Sequence, residues 1–503
     1  MSDHPGLIAV RQGRDPIDAC LEVLDQAALM PSEVEPSGAT RLEPIYRDAS
    51  LAAQEARAVL DTFADHFRSW FTFKNWDDVP QVYSNHQGLK ESLDINEESL
   101  HLLRALFQEG GVGSGAQSFS EIVLGAESLM AIRTHPTRLW NSDCRNYLDN
   151  TPVDCALSLP EWGNYGGAST SPGIGEILGI RVFPQGDTTL YSKNGARFVT
   201  GPGNPITDYN PRANSGGILG LRSFLAKTGQ YINEANGGGV ARRRWMKEVF
   251  ESLLCRNLPV LRHEDVATMV AEFHALPNPA NSPQAKGRLP FRQETSCMKC
   301  HAAIDGGAAV ARGYRIFGTG GKVDFNSDGA VTATSDDRVI LTFLRTPTAP
   351  ASAVPLHLQL DTDTQFKNRM PTGRLFYRSY DGTLVDIALD PAQAGEANRT
   401  EWSGDDGLAA LGKHLSQSKD LYVCAASRMI EHFTGVKVNL LDPGDPFSPE
   451  LSSQDLIFRD WAEFLALDED WGLRNTQSLR KMVETLLRSD LYRSNGFRNA
   501  GGT

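Results

Sequence analysis

Residues 297–301 read Cys297-Met298-Lys299-Cys300-His301, and the reading of the whole chain turns on this stretch. Cys-x-x-Cys-His is the spacing of a c-type haem attachment site. On a helical turn, residues three apart share a face. Both thiols can then form thioethers with the two haem vinyl groups while the adjacent histidine ligates the iron. Cys297 and Cys300 are therefore the candidate haem anchors and His301 the candidate proximal ligand. Three other readings stay open at this point. A thiol–disulfide redox pair uses Cys-x-x-Cys too, but belongs beside a βαβ pattern, and none precedes it here. A structural zinc site needs a second ligand pair, and the chain has no other Cys-x-x-Cys and no His-x-x-x-His. Chance placement in a long chain is the third.

The second axial position has one leading candidate. Met370 lies in Asn368-Arg369-Met370-Pro371, and a Met-Pro loop C-terminal to the haem motif is how class I cytochromes c present a thioether. A Met/His pair raises the reduction potential and suits electron transfer. His357, two residues after Pro355, is the runner-up. His414 and Met429 fall in helical patterns, where a core or solvent-facing role is expected. An open sixth position would instead admit peroxide or oxygen chemistry.

Working outward, the N-terminal part is helical in pattern. Val59, Leu60, Phe63, Phe67, Trp70 and Phe71 recur at three- and four-residue steps within 51–73, and Leu100–Phe107 repeats the pattern before Gly110-Gly111. From about 160 to 220 the chain turns rich in Gly, Pro, Ser, Asn and Thr, which predicts loops with a few short strands. Gly173-Ile174-Gly175 in that stretch lacks the preceding strand and glycine spacing of a phosphate loop, and reads as a turn. After Gly237-Gly238-Gly239, Trp245, Met246, Val249, Phe250, Leu253 and Leu254 form one apolar stripe. Arg242, Arg243, Arg244 and Lys247 lie off it and read as a solvated helix end. Short strands are expected between 315 and 360, among them Val339–Phe343. Helices return over 408–433, 456–465 and 479–491.

Composition limits the function classes. The 503 residues carry 62 acidic and 49 basic side chains, a net charge of −13, which disfavours a nucleic-acid backbone as partner. No apolar run reaches the ~18 residues a membrane span needs. The N-terminus, Met1-Ser2-Asp3-His4-Pro5, shows no cationic stretch and apolar core. Covalent haem attachment occurs outside the cytoplasm, so the expectation is a start that has been trimmed or misassigned. Asp324-Phe325-Asn326-Ser327-Asp328-Gly329 matches the first half of a calcium loop, but its twelfth position is Ser335. A hairpin turn is the better reading. Cys144 and Cys155 can close a short disulfide loop. Cys20, Cys255 and Cys424 stand isolated and read as buried small hydrophobes.

The stretch Arg292-Gln293-Glu294-Thr295-Ser296-Cys297-Met298-Lys299-Cys300-His301-Ala302-Ala303-Ile304-Asp305 resembles the haem segment of the planctomycete-type cytochrome c family. These are large extracytoplasmic proteins built of modules of unknown function. Residues 236–260, 408–435 and 473–497 are similar to that family's helices before the haem motif and near the chain end, and 51–73 more weakly to its N-terminal module. The family continues from Ile-Asp with Pro; here Gly306-Gly307 follows, which implies a different turn beyond the haem segment. The resemblance implies a mainly α fold. A mostly helical N-terminal module with a Gly/Pro-rich loop region would span 1–235. A cytochrome c-like haem domain with a small β/loop insertion would span 236–440, and a helical C-terminal segment 441–503. The implied function is electron transfer, in the periplasm or otherwise outside the cytoplasm, through one covalent haem c and with redox protein partners. The alternatives are a haem enzyme with an open iron site, peroxidase- or oxygenase-like, and an interaction scaffold.

Overall fold

The structure, a computed structural model, describes residues 8, 10–29, 51–71, 97–107, 119–124, 128–131, 180–183, 190–191, 197–198, 216–220, 224, 238–275, 293–311, 316–320, 323–325, 331–333, 339–343, 373–389, 404–446 and 448–493. Within these, helix dominates. The N-terminal helices are α1 (Pro16–Leu29), α2 (Leu51–Ser69), α3 (Glu97–Phe107) and α4 (Phe119–Leu124). The central ones are α5 (Gly238–Glu248), α6 (His263–Ala275) and α7 (Thr295–Ala308), and α5 runs on into a π-turn at Val249–Leu253. The chain then closes with α8 (Gly404–Gln417), α9 (Lys419–Thr434), α10 (Ser453–Leu467), α11 (Leu473–Thr476), α12 (Leu479–Arg488) and α13 (Asp490–Arg493).

The described strands form antiparallel pairs. β1 (Ser128–Ala131) pairs with β2 (Ile180–Phe183), and β3 (Leu190–Tyr191) with β4 (Arg197–Phe198). β5 (Ile316–Gly320) pairs with β8 (Val339–Phe343), enclosing in sequence the β6 (Val323–Phe325) and β7 (Val331–Ala333) pair. That last pairing places strands on both sides of the calcium-like stretch, as a hairpin requires. β9 (Arg374–Arg378) and β10 (Leu384–Ala388) form a hairpin whose first strand buries Leu375, Phe376 and Tyr377.

The apolar stripes read from the sequence meet in one continuous core. Phe63, Phe67, Trp70 and Phe71 of the α2 stretch join Leu102, Leu103 and Leu106 of α3, and Trp245, Val249 and Phe250 lie in the same cluster. Burial of such side chains contributes roughly 1.5–3 kcal/mol each. Trp245 also donates its indole N–H to the Leu219 carbonyl at 3.1 Å, so its one polar atom is satisfied. The run read as one helix over 408–433 is two. Ser418 breaks it, in extended conformation, and its hydroxyl accepts from the Asp420 N–H to cap α9. The ends of the described chain meet as well: Arg480 of α12 donates to the Leu21 carbonyl of α1 at 2.9 Å, and Arg488 pairs with Asp18 at 2.8 Å. No helix among the described residues is long and apolar enough to cross a membrane.

Cys255 and Cys424 are disulfide-bonded, with their Cα atoms 5.2 Å apart and a sequence separation of 169. The expectation of isolated thiols is corrected for these two, of which Cys424 is buried as expected; Cys20 is free but exposed, which corrects its reading as a buried hydrophobe. The bond ties the segment after the π-turn to the middle of α9. Cys144, Cys155 and the 173–175 turn lie outside the described residues.

A histidine pair links α2 to α9. The rings of His66 (α2) and His432 (α9) lie 4.0 Å apart, and Trp70 donates its indole N–H to His66 Nε2 at 3.0 Å. Burial, then His432 and Arg428, hold the His66 imidazole down from 6.5 to about 3. The unfolded chain takes up a proton near pH 6.5 that the folded chain refuses until about pH 3. This contribution is therefore complete above pH 6.5 and drains as pH falls, with a slope of up to about 1.4 kcal/mol per pH unit. Urea unfolding followed across this range should show the decline. His66→Gln, which keeps an acceptor for Trp70 but does not titrate, should flatten it; an unchanged slope would assign the acid loss to other groups.

Candidate functional site

The cysteine–histidine stretch forms the first half of α7. Glu294 leaves the extended chain and its carbonyl accepts from the N–H groups of Cys297 (3.1 Å) and Met298 (3.0 Å), which starts the helix. Helical spacing then puts Cys297, Cys300 and His301 on one face. All three are half-buried, whereas Met298 points into the core. From Ala302 to Val310 every residue is buried. Small side chains make this possible. A Cβ on Gly306 would stand 2.9 Å from the Arg374 carbonyl of β9, and one on Gly307 would collide with the Met246 side chain of α5. The two glycines thus let α7 lie against both α5 and β9.

Asp305, one turn beyond His301, is the polar residue in this dry half. Its side chain is 2% exposed. Arg243 of α5 grips it through two nitrogens, Nε to Oδ1 and Nη2 to Oδ2, the latter at 3.0 Å. His301 Nδ1 lies 3.4 Å from the same Oδ2. Burial by itself would raise the Asp305 carboxyl, but contact with His301 and the charge of Arg243 outweigh it and hold the group below its ordinary value. The Nδ1 atom is itself buried, although the His301 side chain is 26% exposed. The ring's exposure is therefore on its other edge. A carboxylate facing Nδ1 favours the proton on that nitrogen and leaves the Nε2 lone pair as the available ligand. Arg243 was expected to be solvated; the structure instead pairs it with a residue 62 positions away. Sequence spacing offers no signal for such a long-range pair.

Burial, reinforced by Cys297, pushes the Cys300 thiol above its ordinary value despite the neighbouring Lys299. At neutral pH Cys300 is thus a thiol and not the thiolate that metal ligation requires. Among the described residues no group of three or more His, Cys, Asp or Glu side chains is placed to hold a metal ion. The two cysteines are not bonded to one another. A covalently anchored haem asks for two unbonded thiols on one accessible helical face and an adjacent imidazole with an outward lone pair, and the residues present fit those demands.

The remaining candidates divide simply. His414 on α8 is half-buried and Met429 on α9 fully buried in the core, as their helical patterns suggested. Met370 and His357 lie outside the described residues. No protein family, curated protein or solved structure matches the chain.

Proposed function

We propose that this chain is an extracytoplasmic c-type monohaem cytochrome that passes single electrons between protein partners. The observation that carries the reading is the face of α7. Its two unbonded cysteines and a histidine stand at attachment spacing, with the histidine's inner nitrogen turned to a buried carboxylate. In this reading Cys297 and Cys300 would anchor the haem, and His301, through Nε2, and Met370 would hold its iron. When bound, the haem supplies reversible one-electron exchange. Asp305 and Arg243 orient the imidazole, and the buried half of α7 holds the attachment face rigid against α5 and β9.

Two further features support the proposal. The Cys255–Cys424 disulfide is of a kind that persists in oxidising compartments, the setting in which haem is covalently attached. The net charge of −13 favours basic partner surfaces and salt-sensitive association. The resemblance of residues 292–305 to the planctomycete-type cytochrome c family points the same way.

The test is an intact mass together with a denatured, reduced absorption spectrum of protein matured in a periplasm equipped for c-type haem attachment. One covalent haem per chain with c-type bands is expected. Unmodified Cys297 and Cys300 in such protein would overturn the reading and bring forward the redox-dithiol or scaffold alternatives.

A further inference from the structure

The Arg243–Asp305–His301 chain does more than hold a ring in place. Resting on the covalent-haem reading, we infer that Asp305 is a positioning residue that sets the donor strength of His301, with Arg243 as its counterweight, and that this pair lowers the reduction potential of the bound iron. Asp305 brings a full carboxylate to 3.4 Å from His301 Nδ1 in a site that is 2% exposed, where water screens the charge little. A carboxylate behind a ligating imidazole raises its basicity, and such partners typically alter metal affinity 10–100-fold on removal. The more basic ligand stabilises the ferric state over the ferrous one. Arg243 shares the carboxylate bidentately, so part of the negative charge is drawn away from the imidazole.

This arrangement predicts shifts of opposite sign. Asp305→Asn keeps the shape and removes the charge, so the ferric preference weakens. A tenfold change, which for a one-electron couple is about 59 mV, is the expected rise in midpoint potential. Arg243→Gln removes the counterweight and leaves the carboxylate to the imidazole, so the midpoint should fall. Both variants are matured with haem, and the midpoint is read by spectroelectrochemical titration of the haem-loaded fraction. Covalent haem content is measured alongside. A purely structural role would lower haem content or thermal stability while leaving that fraction's midpoint at the wild-type value, which would overturn the inference. So would shifts of the same sign in both variants. Should Asp305→Asn not fold, the direction of the Arg243→Gln shift decides alone. Wild-type protein that acquires no covalent haem overturns the cytochrome reading and this inference together. A wild type with haem and unmoved variants overturns only the inference.

Discussion

Protein carrying Cys297→Ser together with Cys300→Ser is expected to lose every trace of extractor-resistant haem, while each single variant keeps haem through its remaining thioether. The contrast follows from where the thiols stand. Both lie on the half-buried turn of α7, so burial alone offers a haem only a partial enclosure there. Covalent bonds are then what retains the group when acid and organic solvent unfold the chain. Serine removes the sulfur at little cost to the fold, because both thiols are only half-buried and neither Met298 nor the continuous buried run from Ala302 is touched. Acid–acetone extraction followed by absorption of the protein pellet reads the result, and far-UV circular dichroism separates loss of haem from loss of structure. Haem absorbance that stays with the double variant would sink the assignment of these two cysteines as anchors.

The second large effect concerns stability. Replacing Cys255 and Cys424 together by alanine should lower the unfolding free energy by about 5 kcal/mol, the chain-entropy value for a closed loop of this length. The 169-residue separation makes the loop among the more effective kinds to close. The bond is also embedded: Cys424 is 1% exposed, and the neighbouring Arg428 donates to the Glu251 carbonyl at 2.9 Å. Chemical denaturation of wild type and double variant under non-reducing conditions measures the difference. Equal midpoints would mean that the unfolded chain is already restrained by other means.

The helical stretches at 51–73, 100–107, 245–254, 408–433, 456–465 and 479–491 were legible because their apolar residues recur at the period of the helix, and that pattern is local; α1 and α6 were not singled out. Val339–Phe343 was legible as a strand from its short run of β-branched and aromatic residues, also a local signal. The break at Ser418 was not: the apolar pattern runs straight through it. What stops the helix is a serine cap and Asp420, whose carboxylate accepts from the Tyr377 hydroxyl at 3.0 Å and the Tyr380 N–H at 2.8 Å. Those partners sit about forty residues away and carry no periodic signal. At the site, Cys297, Cys300 and His301 announced themselves through contiguous spacing. Arg243 and Asp305 did not, because each is an ordinary charged residue until the fold brings α5 against α7. The same holds for the Cys255–Cys424 pairing, since spacing alone leaves disulfide connectivity open.

The structure thus places oxidised and reduced cysteines in one chain: Cys255 joined to Cys424, and Cys297 and Cys300 left apart. Kinetically this is the harder arrangement to reach. Two thiols three residues apart encounter one another far more often in an unfolded chain than two that are 169 apart, and both short-range thiols lie inside the long loop. A compartment that only oxidises would close the short pair first or cross it with Cys255. On the proposed extracytoplasmic haem reading, maturation of this chain would call for sorting, in which an oxidant acts on the distant pair while a reductant, or capture by an incoming group, protects the near one.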